Sequence, residues 1–157
     1  MSKWPGDARK QSTTFGTLSR SELMSLVKSR RNATTEERLA SLLRRARITG
    51  WRRHQGVLGR PDFVWRESRL AVFVDGCFWH GHDCGRKLTP KTNARLWREK
   101  IERNKARDGR VTRELRRTGW SVYRIWECEL ARNGGRSLRR IRELLANSPR
   151  ATHVTEK

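Results

Sequence analysis

Val74-Asp75-Gly76-Cys77-Phe78-Trp79-His80-Gly81-His82-Asp83-Cys84 (VDGCFWHGHDC, residues 74–84) leaves an apolar run and enters a loop dense in metal-binding side chains. Cys77, His82 and Cys84 form a C-x4-H-x-C array. Two thiolates and an imidazole this close in sequence supply three quarters of a tetrahedral zinc site. The alternative is that the cysteines are small buried hydrophobes. Cys128 is the remaining cysteine, and it is expected to end the last strand. In a parallel or mixed sheet the ends of neighbouring strands meet, so Cys128 would reach the array and complete a Cys3His site. No open position is left, which makes the expected zinc structural. His80 lies between the ligands, and spacing alone leaves it as an alternative to His82.

Working outward, Leu70 to Val74 is continuously apolar, the mark of a strand covered on both faces. Pro61–Trp65 is a candidate partner strand, residues 49–54 are a weaker one, and residues 120–126 follow a helix stop at Gly119. A long helix is expected over about 93–118. A final amphipathic helix uses Leu138, Ile141, Leu144 and Leu145. Thr34 or Thr35 caps a helix running to Arg47, and a shorter helix is expected over 19–30. Residues 1–18 read as a flexible basic arm, 19–148 as a single domain and 149–157 as a disordered tail.

Two helices carry acids where apolar side chains belong. Glu36 projects about 20° from Leu43, at the edge of the apolar stripe of its helix, whereas Glu37 points away. A first-turn acid also favours a helix N-terminus, whatever else Glu36 does. On the long helix Trp97, Ile101, Asn104, Asp108, Val111 and Leu115 project within about 80° of one another. Asp108 thus lies in a core-facing stripe, where a carboxylate is costly unless paired or bound. A salt bridge to one of the many arginines is the plainer account of it.

The chain has 157 residues, with 37 Lys plus Arg against 16 Asp plus Glu, a net charge of +21. That balance points to a polyanion, most simply nucleic acid. A ribosomal or histone-like binder is the plainer reading of charge alone. One of the adjacent rings Phe78 and Trp79 can pack on the core, but both cannot easily do so on a tight loop, and an exposed aromatic on a cationic chain suits stacking on bases or wedging between base pairs. Gly59-Arg60-Pro61-Asp62 brings a carboxylate to the start of a strand. Phosphodiester cleavage needs a divalent cation, and magnesium takes carboxylate and carbonyl oxygens, of which Asp62 supplies the first. No run is long enough to span a bilayer. The opening MSKWPGDARKQ lacks the apolar core of a signal peptide, so a cytoplasmic, nucleoid-associated protein with reduced cysteines is expected.

GRPDFV, VFVDGCFWHGHDC, LWREKIERNKARD and GWSVYRIWECEL together resemble the very short patch repair (Vsr) endonuclease family, in order and spacing from about Glu36 to Cys128. The resemblance implies an α/β fold, a restriction-endonuclease-like mixed sheet of PD-(D/E)XK type flanked by helices, and a strand-specific nick beside the thymine of a T·G mismatch. It implies Asp62 and the Val74 carbonyl as magnesium ligands, and His80 as general base or its partner. Asp108 would orient His80 or water on the metal, and Glu36 would join that network. Cys77, His82, Cys84 and Cys128 would hold zinc, and Phe78, Trp79 and Trp97 would form a wedge beside the mismatch. Asp75 departs from the pattern, which has a histidine there. A carboxylate at 75 is a candidate further metal ligand, and when ionised it cannot act as a cationic donor. Nothing is carried over before Ala33. The expected partner is double-stranded DNA, met by a monomer, with mismatch-repair proteins as candidate further partners.

Overall fold

A computed structural model describes residues 34–85 and 94–148. The arm, the helix expected over 19–30 and the tail lie outside the described residues. Helix α1 covers residues 34–45. Strands β1 (Arg52–Arg53), β2 (Phe63–Trp65) and β3 (Leu70–Asp75) follow, then α2 (Ala94–Arg117), β4 (Ser121–Trp126) and α3 (Glu127–Ala146). The sheet order is β1-β2-β3-β4. The first two pairings are antiparallel and β3–β4 is parallel, with Phe73 opposite Arg124 and Asp75 opposite Trp126. A parallel pair requires a crossover, which α2 provides.

The alternation of the strands splits the interior in two. Phe63, Leu70, Val72, Val74 and Ile125 pack with Leu39 and Leu43 of α1 and Leu130 and Ile141 of α3. Ala71, Phe73 and Val122 face the other way, against Leu115 and Val111 of α2. Each fully buried leucine contributes roughly 1.5–3 kcal/mol, so these two layers dominate the stability. Every residue of β3 is buried, as a strand covered on both faces must be. At the end of α2 the Gly119 amide bonds the Arg116 carbonyl and the Trp120 amide bonds the Leu115 carbonyl. Gly119 takes φ +80°, the left-handed turn that stops a helix and launches the next strand.

Three expectations change. The weak strand over 49–54 shrinks to Arg52–Arg53. The last helix begins directly after β4, at Glu127, and is broken at Asn133, whose φ and ψ are non-helical. Cys128 therefore sits in the first turn of α3 and does not end a strand. The shift is small in space, because the helix starts where the strand stops.

Candidate active site and Cys/His metal centre

Ligand sites in open α/β sheets gather at the carboxyl ends of parallel strands. Here β3 and β4 end at Asp75 and Trp126, and the antiparallel β2 brings its entry, Asp62, alongside. The Val74 amide donates to Asp62 Oδ2 at 2.6 Å. Burial nevertheless pushes Asp62 up to about 7, against that hydrogen bond, and the nearby Glu36 and Asp75 push the same way. Three acids thus crowd one end of the sheet. That is the chemistry of a cation site: a divalent ion would offset their mutual repulsion, with Asp62 and the Val74 carbonyl as oxygen donors. Glu36 is buried at 8% exposure, as its helical phase requires. Arg53 Nη2 meets Glu36 Oε2 at 2.6 Å and His54 Nε2 lies 3.7 Å from the same oxygen. Arg53 also pairs with the exposed Glu37.

His80 stands over the end of β3. Its Nδ1 pairs with Asp108 Oδ2, and its Nε2 lies 3.7 Å from Asp75 Oδ1. Asp108 does occupy the inner stripe of α2. Burial raises its pKa, but the His80 hydrogen bond and the charges of Arg124 and Arg107 outweigh that and hold it below the usual carboxylate range. Asp75 is 4% exposed. Both of its oxygens are taken by Arg124, Nε to Oδ2 at 2.6 Å and Nη2 to Oδ1 at 3.1 Å. The expectation of Asp75 as a metal ligand therefore meets a carboxylate already committed to a guanidinium.

The Cys/His array closes as the spacing requires. Ligand atoms of Cys77, His82, Cys84 and Cys128 all lie within 4.8 Å of one another. Cys128 Sγ is 3.4 Å from His82 Nδ1, near the ~3.5 Å edge of a tetrahedron with the bond lengths of a zinc site. His80 is excluded from this group by its engagement with Asp108. The His82 ring stacks on Trp126 at 4.2 Å and 4°. Gly81 lets the loop lie on α2: it has φ +59°, and a Cβ there would come within 2.5 Å of Ile101 Cγ2. Asn104 fixes the same loop by donating to the Trp79 carbonyl at 2.8 Å.

Phe78, Trp79 and Trp97 form one edge-to-face cluster, with centroids 4.8 to 5.8 Å apart. Lys100 lies over both indoles. Of the adjacent pair, Trp79 is the ring that turns inward, at 5% exposure, while Phe78 stays half-buried, and the three rings cover one another. The structure brings together Asp62, Val74, Asp75, His80, Asp108 and Glu36 on one side and the four Cys/His residues on the other, with Trp126 between. The sequence reading missed Arg124. It shares a phase of β4 with Val122 and Trp126, under α2, where an apolar side chain is expected, and that breach was the available signal.

Buried acids at strand ends, on so cationic a chain, are the marks of a nuclease. The family model for DNA mismatch endonuclease Vsr matches residues 12–86. The match begins well before Ala33, so the family pattern reaches further toward the N-terminus than the motifs alone indicated. DNA mismatch endonuclease Vsr of Escherichia coli (strain K12) is 42% identical over 100 residues, which is 64% of this chain and 64% of that protein. Type II nicking enzyme V.XorIIP of Xanthomonas oryzae pv. oryzae is 40% identical over 109 residues, 69% of this chain and 79% of its own length. Type II nicking enzyme V.NaeI of Lentzea aerocolonigenes is 47% identical over 75 residues, 47% of this chain and 44% of its own. The chain thus spans just under two thirds of the E. coli relative. It belongs to the Vsr family of DNA endonucleases.

Proposed function

We propose that the chain is a magnesium-dependent endonuclease of very short patch repair, nicking one DNA strand beside the thymine of a T·G mismatch left by 5-methylcytosine deamination. The observation that carries this reading is the acid cluster around Asp62, set beside the His80–Asp108 pair. Membership of a family whose named members include mismatch and nicking endonucleases supports the choice of substrate. A PD-(D/E)XK-type core fits the mixed sheet, with Asp62 at the entry of β2 and the Val74 carbonyl on β3 as the metal-facing donors. When bound, the cation offsets charge on the scissile phosphate and acidifies water.

The chain's own residues supply the rest. Asp108 holds the Nδ1 side of His80, which leaves Nε2 to accept or donate a proton at the phosphate. Glu36, braced by Arg53, extends the acidic wall on the α1 side. Cys77, His82, Cys84 and Cys128 hold a structural zinc that stiffens the loop carrying His80. Phe78, Trp79 and Trp97 would open from their mutual packing to wedge into the stack beside the mismatch. A monomer acting on double-stranded DNA in the cytoplasm, at the nucleoid, completes the reading, with mismatch-repair proteins as further candidates.

The test is nicking of a T·G duplex with and without Mg²⁺, by the native chain and by Asp62→Ala. Cation-dependent nicking, lost in the variant while DNA binding persists, is expected. Undiminished cleavage by Asp62→Ala would remove the acid cluster from the chemistry.

A further inference from the structure

Arg124 is a cation in an apolar phase of β4, covered by α2. Its guanidinium lies 4.6 Å from the centroid of the Phe73 ring. One edge grips both oxygens of Asp75. Its Nη2 also lies 3.0 Å from Asp108 Oδ1, and its Nη1 donates toward Thr112 Oγ1 at 3.4 Å and the Asp108 carbonyl at 3.5 Å. Asp108 gives its other oxygen to His80, whose Nε2 returns to Asp75 Oδ1 at 3.7 Å. The four side chains close a ring. Arg124, His80, Asp108 and Trp126 all line a cleft of about 370 Å³ beside α2.

A carboxylate bonded through a single oxygen rotates about its Cβ–Cγ bond, and a histidine held by it turns as well. A second donor on the other oxygen removes that freedom. Arg's planar fork does this better than a lysine ammonium, because its donors are fixed relative to one another. If Arg124 served only to offset Asp75, it would need no bond to Asp108. Building on the reading of His80 and Asp108 as the proton-handling pair, we infer that Arg124 is a positioning residue of the nicking reaction, fixing the Asp108 carboxylate, and through it the His80 ring, by anchoring on Asp75.

Arg124→Gln alone would leave Asp75 buried without its guanidinium, which threatens the fold. The informative variant is Asp75→Asn/Arg124→Gln, a neutral pair that retains hydrogen bonding, compared with Asp75→Asn alone and Arg124→Lys. Single-turnover nicking at saturating duplex is measured beside duplex affinity and thermal unfolding. The double variant is expected to fold, to bind duplex within a few-fold of the native chain, and to nick about 100-fold more slowly, the cost of a misplaced catalytic group. Asp75→Asn alone keeps one acceptor oxygen as an anchor for the guanidinium and should nick at least about ten times faster than the double variant, because Arg124, held through that oxygen, still fixes Asp108, and Arg124→Lys should fall between. A double variant that nicks at the native rate, or one no slower than Asp75→Asn alone, would overturn the inference. His80→Ala separates the two layers: native nicking in that variant sinks the underlying pair, whatever Arg124 does.

Discussion

Asp62 Oδ2 accepts the Val74 amide at 2.6 Å, and this bond ties the entry of β2 to the exit of β3, where the acids converge. It does not offset burial, which with the charges of Glu36 and Asp75 pushes Asp62 up to about 7, so that about half of Asp62 is protonated at neutral pH without a cation. Its ordinary value is 3.8. The unfolded chain therefore releases this proton at lower pH than the folded chain does. Stability from this group is full below pH 3.8 and is lost as pH rises to about 7. By linkage the loss is about 4 kcal/mol.

Asp62→Asn mimics the protonated side chain and isolates that effect. In denaturant unfolding without divalent cations, the variant should gain on the native chain between pH 4 and pH 8, by an amount on the order of 4 kcal/mol. Added Mg²⁺ should narrow the gap at pH 8, because it binds the ionised form. A gap that does not change with pH would mean that Asp62 is already ionised without metal.

Elemental analysis should find about one zinc per chain, held by the four Cys/His residues. Cys84→Ser should lower zinc occupancy and weaken the fold by several kcal/mol, since binding and folding are coupled at such sites. His82 stacks on Trp126, and Trp126 lies edge-on to His80 at 6.4 Å. Nicking should therefore fall with zinc loss even where the sheet remains folded by circular dichroism. Native activity in zinc-free protein would separate the two sites.

The aromatic cluster divides by burial. Trp79→Ala removes a ring that is 5% exposed and should cost about 3–5 kcal/mol of stability. Phe78 is less buried, so Phe78→Ala should fold nearly normally. Its expected defect lies on DNA, a loss of about 10- to 100-fold in affinity for the mismatched duplex if the ring stacks on a base. The fluorescence of a base analogue beside the mismatch would report the wedge directly. Unchanged fluorescence and affinity in Phe78→Ala would exclude that ring as a wedge.

Much of this site was legible in the sequence because two periodicities carried it. The helical phase of α1 set Glu36 apart from Glu37, and that of α2 placed Asp108 inward. The cysteine spacing announced the Cys/His group that could hold a metal ion. What stayed hidden depends on partners distant in sequence. Asp75 read as a candidate metal ligand because nothing local names Arg124, which lies 49 residues on. Which of Phe78 and Trp79 turns inward stayed open because the cover of Trp79, Trp97, comes from α2. Cys128 was placed on a strand because helix α3 starts with no cap side chain to mark the change.

The central claim is discrimination of the mismatch, and strand-resolved nicking tests it most directly. Two duplexes that differ at one base pair, T·G against T·A, are labelled on each strand in turn and incubated with the protein and Mg²⁺. The account predicts a single nick beside the mismatched thymine, on that strand alone, and an intact T·A duplex. Equal cutting of both duplexes, or cutting of both strands, would contradict it.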